Sequence, residues 1–350
     1  MKAVYYKHIL NFKRPSGTSR GVISDKETWY ILLEEHNKKG IGECGILRSL
    51  SYDDIPEYEH KLQWVCDNIH LGLNTLWNQL RDFPSIQFGL EQAFLSIQSD
   101  DPFQLFPSDF SQGKDSININ GLVWMGDHEF MKQQIDEKLA QGFTCIKLKI
   151  GAIDFEKEID LLQFIRSQYS ANQIEIRVDA NGGFSAEDAF VKLQQLANFS
   201  LHSIEQPIKA GQYKTMHQLC KQTPLPIALD EELIGITQLE DKIKLLDQIQ
   251  PQYIILKPSL IGGFKGTLEW IQLAEIRNIG WWITSALEGN IGLNAIAQFT
   301  YQLHNTMPQG LGTGSLYTNN IDSPLVVKNG QLWYDINVDW NINLKELIFV

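Results

Sequence analysis

The sequence has few of the features that mark several large classes of protein. Its four cysteines, Cys44, Cys66, Cys145 and Cys220, show no C-x-x-C spacing, so neither a zinc knuckle nor a disulfide framework is indicated. No run approaches the roughly 18 apolar residues that a membrane span needs, and the N-terminus has no apolar core of signal-peptide length. We therefore expect a cytoplasmic protein.

Basic clusters are also lacking, and acidic residues dominate the charge. The chain has 30 Lys and Arg against 42 Asp and Glu, a formal net charge of −12. Because nucleic acids bind to basic faces, we expect a small-molecule partner and no nucleic acid. The composition does not distinguish a monomer from a homo-oligomer. The 350 residues suffice for a barrel of about 250 residues and a smaller second domain.

Strand and helix patterns divide the sequence into three parts. Strand-like residues 4–12 and 28–35, followed by helix-like residues 55–71 and 88–98, indicate an α+β module. From residue 116 onward, strand-like and helix-like runs alternate, as they do in a (β/α)8 barrel. The expected strands are Ile117–Trp124, Thr144–Ile150, Ile174–Asp179, Leu201–Glu205, Leu225–Asp230, Tyr253–Lys257, Gly280–Ser285 and a short one near Gly310–Gly312.

The three parts define predicted domains. We predict an α+β capping domain over residues 1–112, a catalytic barrel over residues 113–314, and a C-terminal segment, residues 315–350, that returns to the capping domain. In that segment Asn329-Gly330 is the expected hairpin turn. The loop Arg14–Arg20, which contains Ser and Gly, is a candidate lid, with an ordinary surface turn as the alternative.

A charged residue closes each of five consecutive apolar runs. These residues are Lys149, Asp179, Glu205, Asp230 and Lys257, and they recur roughly every 25 to 30 residues, the length of a strand–helix unit. In a barrel, the C-terminal strand ends form the active-site face. One charged strand end is often structural, but the ordered set predicts that these side chains converge in a site.

The three carboxylates Asp179, Glu205 and Asp230 would repel one another without a cation between them. They therefore predict a hard divalent ion, with Mg²⁺ as the usual partner of carboxylate oxygens and Mn²⁺ as its substitute. No zinc is expected.

The lysines complete the predicted chemistry. Lys147 and Lys149 share one strand face by alternation, and repulsion between their ammonium groups would lower one pKa toward that of a general base. Lys257 ends the sixth strand, which lies opposite the second in an eight-stranded barrel. A substrate whose carboxylate binds the metal would therefore lie between the lysines of these two strands, one on each side of its α-carbon. Its α-proton could then be removed.

Two other classes of function fit parts of this pattern. Lys257 could be the nucleophile of a Schiff-base aldolase on the same barrel. A non-catalytic binding protein on a degenerate barrel is the third hypothesis, but the complete set of charged residues argues against it.

Taken in order, the motifs resemble the muconate-lactonising subgroup of the enolase superfamily over most of the chain. The motifs are Lys147-x-Lys149, Asp179-x-Asn181, Glu205-Gln206-Pro207, Asp230-Glu231 and Lys257-Pro258. The resemblance implies an α/β fold, a modified TIM barrel (β/α)7β, with an N-terminal α+β capping domain completed by the C-terminal tail.

Three further segments resemble the o-succinylbenzoate synthases: Gly42–Arg48, Ile119–Met125 and Thr284–Gly292. This resemblance implies a Mg²⁺-dependent carbon–oxygen lyase of menaquinone biosynthesis. Its reaction would be the syn-dehydration of 2-succinyl-6-hydroxy-2,4-cyclohexadiene-1-carboxylate to o-succinylbenzoate. N-Succinylamino acid racemase, dipeptide epimerase and cycloisomerase activities use the same constellation and stay as alternatives. No Asp-x-Asp of the dipeptide epimerases follows the seventh or eighth strand in the sequence.

The resemblance also implies roles for individual residues. Lys149 would take the α-proton and then protonate the departing hydroxyl, and Lys257 would stay cationic and stabilise an enediolate. Lys147 would depress the pKa of Lys149. The residues with expected supporting or substrate-binding roles are Lys147, Arg177, Asn181, Ser285, Glu288 and Gly289.

Overall fold

The N-terminal part of the computed structural model is a three-stranded antiparallel sheet covered by helices. The structure describes residues 1–18, 21–151 and 154–342, so residues 19–20 of the candidate lid lie outside the described residues. The strands pair in the order β1 (Lys2–Thr18), β2 (Gly21–Glu35) and β3 (Lys38–Gly45). The helices are α1 (Tyr58–Asp67), α2 (Leu73–Gln79) and α3 (Pro84–Gln98). These elements agree with the α+β module expected from the sequence.

Strand β2 is apolar on both faces because both faces are covered. Alternate side chains such as Trp29 and Ile31 pack with the helices, whereas Tyr30 and Leu32 pack in a cluster with Ile291 of the barrel. An exposed sheet would alternate apolar with polar residues. Burial of both faces therefore joins the N-terminal sheet to the barrel.

Seven parallel strands form the curled sheet of the barrel, in the spatial order of the sequence. They are β5 (Gly121–Val123), β6 (Cys145–Lys149), β7 (Glu175–Asp179), β8 (Ser203–Glu205), β9 (Ile227–Leu229), β10 (Tyr253–Leu256) and β11 (Gly280–Ile283). The helices between and after them are α4 (His128–Ala140), α5 (Phe155–Gln168), α6 (Ala189–Ala197), α7 (Tyr213–Gln222), α8 (Leu239–Ile249), α9 (Pro258–Ile261), α10 (Gly263–Glu275) and α11 (Asn290–Gln302). The predicted α/β barrel is confirmed.

The two ends of this sheet differ from the sequence prediction. The expected first strand is interrupted at Ile119 and Asn120, so that β4 (Ser116–Asn118) is separate from β5. The expected eighth strand near Gly310–Gly312 is reduced in the described chain to bridges from Gln309 to Ile119 and from Gly310 to Thr284. These two bridges link the first and seventh strands across the seam of the barrel.

The C-terminal segment contacts both parts of the molecule. Strands β12 (Leu325–Lys328) and β13 (Gln331–Tyr334) form a hairpin, and the expected turn residues Asn329 and Gly330 have positive φ angles of 52° and 69°. Strand β13 pairs with β4, which directly precedes the first barrel strand β5, while the Lys13 N–H donates to the Leu316 carbonyl at 2.8 Å. The domain boundaries at residues 112 and 314 stay predictions.

No helix in the described ranges is both long and apolar enough to cross a bilayer.

Candidate active site

Strand register brings the charged residues to one level of the barrel. Lys149 pairs with Asp179 between β6 and β7, and Asp179 pairs with Glu205 between β7 and β8. Asp230 and Lys257 directly follow β9 and β10. Because these strands are parallel neighbours, all five residues lie at the C-terminal end of the barrel, where active sites of this architecture form.

The two lysines of β6 share one carboxylate oxygen. Asp179 Oδ2 lies 2.9 Å from Lys147 Nζ and 3.0 Å from Lys149 Nζ, and Lys147 also pairs with Glu205. Both lysines therefore project from the same face, as alternation predicted. Repulsion between the two lysines does not determine the pKa of Lys147. Burial would lower this pKa, but the charges of Asp179 and Glu205 outweigh burial and raise it. Lys147 is thus held as a cation.

The neighbouring carboxylates differ in how fully their charges are compensated. Burial would raise the pKa of Asp179, but Lys147 and Lys149 lower it. The pKa of Glu205 is raised by burial and by the charge of Asp179. Glu205 Oε1 is buried and has no hydrogen-bond partner among the described residues. This oxygen of Glu205 therefore has a free acceptor position among the described residues.

Lys257 lies on the opposite side of the barrel and pairs with Asp230. Burial would lower its pKa, but Asp230 and Glu205 raise it, so Lys257 is also held as a cation. Asn181, in a left-handed conformation with a φ of 43°, accepts a hydrogen bond from Lys149 at 2.8 Å. Its amide nitrogen donates to Glu231 at 3.0 Å.

The carboxylates fit a hard cation, although lysines lie among them in this arrangement. Across residues 1–18, 21–151 and 154–342, no three His, Cys, Asp or Glu side chains are grouped as a metal centre. Asp179 and Glu205 nevertheless end β7 and β8, and Asp230 directly follows the adjacent β9. The three side chains offer only oxygen donors, and these include the Oε1 of Glu205, which has no hydrogen-bond partner among the described residues. That donor set suits Mg²⁺ or Mn²⁺.

A cavity of about 400 Å³ opens above this cluster, between the barrel and the N-terminal unit. Lys149, Asn181 and Lys257 form part of its floor, and Lys147 reaches it as well. Its volume lies in the range of small-molecule sites. The apolar side chains among its lining residues include Leu47, Leu50, Trp124, Met125, Phe130, Leu287 and Leu316.

Several of these lining residues were not predicted from the sequence. Leu47, Trp124 and Met125 lie within segments that were singled out by resemblance, so a signal for them existed at the level of the segment. Lys13 and Leu316, which also line the cavity, carried no such signal because only the fold brings the N-terminal hairpin to the C-terminal segment.

The expected substrate-binding residues fall into two groups. Ser285 lines the cavity. Glu288 and Gly289 lie behind that wall in the described structure: Glu288 accepts hydrogen bonds from the Ser259 and Ser285 hydroxyls at 2.5 and 2.6 Å, and the Gly289 N–H donates to a buried carboxyl group. Neither residue is among the described residues that line this cavity, and their expected contact with a substrate stays a prediction.

Arg177 also lies away from the cavity lined by the described residues. It precedes Asp179 by two positions on β7, so its side chain lies one layer deeper in the barrel. Its guanidinium donates to Glu175 at 2.7 Å and to the Pro308 carbonyl at 2.9 Å, and it lies 4.2 Å from the ring centre of Trp282. Arg177 thus packs in the barrel interior, and its expected role in positioning the substrate stays a prediction.

Comparisons with known proteins agree with this architecture. The family model of enolase C-terminal domain-like proteins matches residues 131–335. An o-succinylbenzoate synthase of Desulfotalea psychrophila is 46% identical, covering 95% of this chain and 98% of its own length. The crystal structure of MenC from Desulfotalea psychrophila superposes with a TM-score of 0.85 at 43% identity, covering 95% of this chain and 99% of that chain.

A more distant relative covers almost as much of the sequence. The N-succinylamino acid racemase of an Amycolatopsis species is 24% identical, over 91% of this chain and 88% of its own length. The family model covers more than half of the chain, and the synthase relative covers nearly all of it. The chain therefore belongs to the enolase superfamily and, within it, to the o-succinylbenzoate synthase family.

Proposed function

We propose that the protein is an o-succinylbenzoate synthase that dehydrates 2-succinyl-6-hydroxy-2,4-cyclohexadiene-1-carboxylate to o-succinylbenzoate in menaquinone biosynthesis. The observation that carries this proposal is the 46% identity to a synthase over nearly the full length of both chains, against 24% for the racemase. The geometry of the site supplies the groups that the reaction needs.

Lys149 is the proposed acid–base residue. Its amine, at the cavity floor, takes the proton from the carbon beside the substrate carboxylate. The resulting ammonium then gives that proton to the hydroxyl that leaves from the same face, so one water is released and the ring becomes aromatic. Hydrogen bonds to Asp179 at 3.0 Å and Asn181 at 2.8 Å hold the nitrogen in place between the two transfers.

Lys257 is the proposed electrostatic partner. Because Asp230 and Glu205 keep it protonated, it is a poor base and a good donor of positive charge. On the far side of the cavity from Lys149, it stabilises the negative charge that develops on the substrate when the proton leaves. A fixed cation needs no reorganisation at that moment.

Asp179, Glu205 and Asp230 are the proposed ligands of Mg²⁺, which Mn²⁺ can replace. When bound, the ion would neutralise the substrate carboxylate and so make the adjacent proton more acidic. Lys147 pairs with two of these carboxylates, Asp179 at 2.9 Å and Glu205, and therefore orients them from below.

The rest of the cavity suits a substrate with an apolar ring and two carboxylates. Leucines 47, 50, 287 and 316 supply apolar surface for the ring, and Lys13, Arg14 and Ser285 supply polar groups on the walls. Walls from both the N-terminal unit and the barrel reduce the contact of a bound substrate with bulk water, which strengthens the electrostatic effect of the lysines.

Turnover by the purified protein tests the proposal. The cyclohexadiene substrate is incubated with the protein and Mg²⁺, and formation of o-succinylbenzoate is followed by ultraviolet absorbance and proton NMR. N-Succinylamino acids are assayed in parallel for loss of optical rotation and for exchange of the α-proton in D₂O. Rapid dehydration supports the synthase assignment, whereas racemisation without dehydration would replace it with the racemase activity of the Amycolatopsis relative.

A further inference from the structure

A buried glutamate of the N-terminal sheet binds the start of a barrel helix. Glu43 of β3 is 1% exposed. Its Oε1 accepts from the Gly289 N–H at 2.6 Å and from the Thr28 hydroxyl at 3.1 Å, and its Oε2 accepts from the Gly292 N–H at 2.7 Å. Helix α11 begins at Asn290 with Gly289 as its N-cap. A glycine has no side chain to cap the helix, so Glu43 supplies the cap from another part of the fold.

Both glycines are needed for this close approach. A Cβ at Gly289 would lie 3.0 Å from Glu43 Oε2, and one at Gly292 would lie 2.9 Å from the Glu288 Cβ and 3.2 Å from the same oxygen. Side chains at these positions would push the carboxyl group away from the helix. The contact therefore depends on residues from two distant segments.

The loop that ends at Gly289 forms one wall of the cavity. Glu288 binds the Ser285 hydroxyl at 2.6 Å and the Ala286 N–H at 2.7 Å, and Ser285, Ala286 and Leu287 line the cavity. A shift of Gly289 would therefore move this wall.

The segment that follows Glu43 forms another wall of the cavity. The side chain of Gln92 holds the backbone of Glu43 through hydrogen bonds of 3.2 and 3.1 Å. Leu47 and Leu50, a few residues further along the chain, line the cavity. Glu43 thus lies where the two walls are joined.

We propose that Glu43 is a positioning residue that sets the separation of the two substrate-binding walls, residues 284–287 and 47–50, and thereby the affinity for the succinyl-bearing substrate. The inference rests on the proposed function for the identity of that substrate. Glu43 does not reach the reacting atoms, so its loss weakens substrate binding more than it slows the chemical step. Small displacements of binding groups are costly to enzymes.

Glu91 provides a matched control within the same chain. This buried glutamate of α3 accepts from the Phe264 N–H at 2.5 Å and the Lys265 N–H at 3.1 Å, at the start of helix α10. It makes the same kind of contact between the two units. In the described structure, Phe264 and Lys265 are not among the residues that line the cavity.

The experiment compares Glu43→Gln, Glu43→Asp and Glu91→Gln with the wild-type protein. At position 43, a glutamine amide can accept at only one end, and an aspartate keeps the charge but is one methylene too short. We expect both Glu43 variants to raise KM about tenfold with kcat within about threefold, and to raise the Kd for o-succinylbenzoate by calorimetry in parallel. Glu91→Gln should lower the Tm but leave KM and Kd within about twofold.

The outcomes separate this inference from the proposed function. If the wild-type protein neither turns over the substrate nor binds the product, the proposed function fails. If wild type is active but the Glu43 variants keep KM and Kd, or if Glu91→Gln raises them equally, only the positioning role fails. Failure of both Glu43 variants to fold while Glu91→Gln folds would show a purely structural role and also overturn it.

Discussion

Replacing Lys149 by alanine should abolish turnover while leaving the protein folded. The substitution removes the proposed base from the cavity floor. Asp179 would keep its ion pair with Lys147 at 2.9 Å, so this buried carboxylate would still have a positively charged partner. The substitution should therefore reduce the rate of the reaction much more than the stability of the fold.

The expected losses of activity and of stability can both be estimated from the role and the contacts of Lys149. General acid–base catalysis contributes about 10²–10⁴-fold, and Lys149 is assigned two successive proton transfers. We expect kcat to fall at least about 10⁴-fold, which corresponds to about 5.5 kcal/mol in the barrier. Stability should fall by only about 2 kcal/mol, because the variant loses the hydrogen bonds of Lys149 to Asp179 and Asn181 while Asp179 keeps its ion pair with Lys147.

Lys147→Ala is the contrasting variant. Lys147 is 7% exposed and pairs with both Asp179 and Glu205, so its removal leaves buried negative charge without compensation. Breaking a buried ion pair costs about 3–5 kcal/mol. This variant should therefore lose far more stability than Lys149→Ala, which urea unfolding monitored by tryptophan fluorescence can measure.

Lys149→Arg separates charge from proton transfer. Arginine keeps the positive charge beside Asp179 but stays protonated at all working pH values. The variant should be as stable as wild type and as inactive as Lys149→Ala in the absorbance assay. Turnover within about tenfold of wild type in either Lys149 variant would refute the assignment of this residue as the base.

Three further predictions concern the metal, pH and packing. Millimolar Mg²⁺ should raise the Tm of the wild-type protein by several degrees and that of Glu205→Gln much less, and equal shifts would remove Glu205 from the ligand set. Burial raises the pKa of Asp53 to about 6, so the folded state holds this proton to higher pH than the unfolded state. The stability of wild type relative to Asp53→Asn should then fall by up to about 3 kcal/mol as pH rises from about 4 to 6; a difference that does not change with pH contradicts this. A Cβ at Gly42 would overlap the Gly89 carbonyl oxygen, so Gly42→Ala should destabilise the protein by about 1–3 kcal/mol in urea unfolding, and a near-neutral effect would show that β3 and α3 can separate.

Periodicity predicted the barrel strands well because each strand is a short apolar run that ends in a distinctive residue. Cys145–Lys149 and Glu175–Asp179 lie within one residue of the predicted bounds. The prediction was less accurate at the seam, where Ile119 and Asn120 interrupt one strand and the glycine-rich segment from Gly310 forms only bridges. Such pairing depends on partners far apart in the chain, which local patterns do not contain.

The alternation of side chains along a strand did not predict how deep each side chain lies inside the barrel. It correctly placed Arg177 on the same strand face as Asp179, but a shared face does not specify depth. Two positions along a strand correspond to about 6.6 Å, enough to move a side chain from the cavity to the layer below. Glu288 and Gly289 show the same limit, since the turn after β11 directs the Glu288 carboxylate to the Ser259 and Ser285 hydroxyls and the Gly289 N–H to Glu43.

The amino-acid sequence by itself determined the order of strands, the convergence of Lys149, Asp179, Glu205, Asp230 and Lys257, and the superfamily. Parallel strands of similar length bring equivalent positions together whatever the details of packing. Only the tertiary structure decided which side chains line the cavity and that Asp179 lies between the two lysines of β6. Those features arise from contacts between segments as distant as Glu43 and Gly289, which no local pattern encodes.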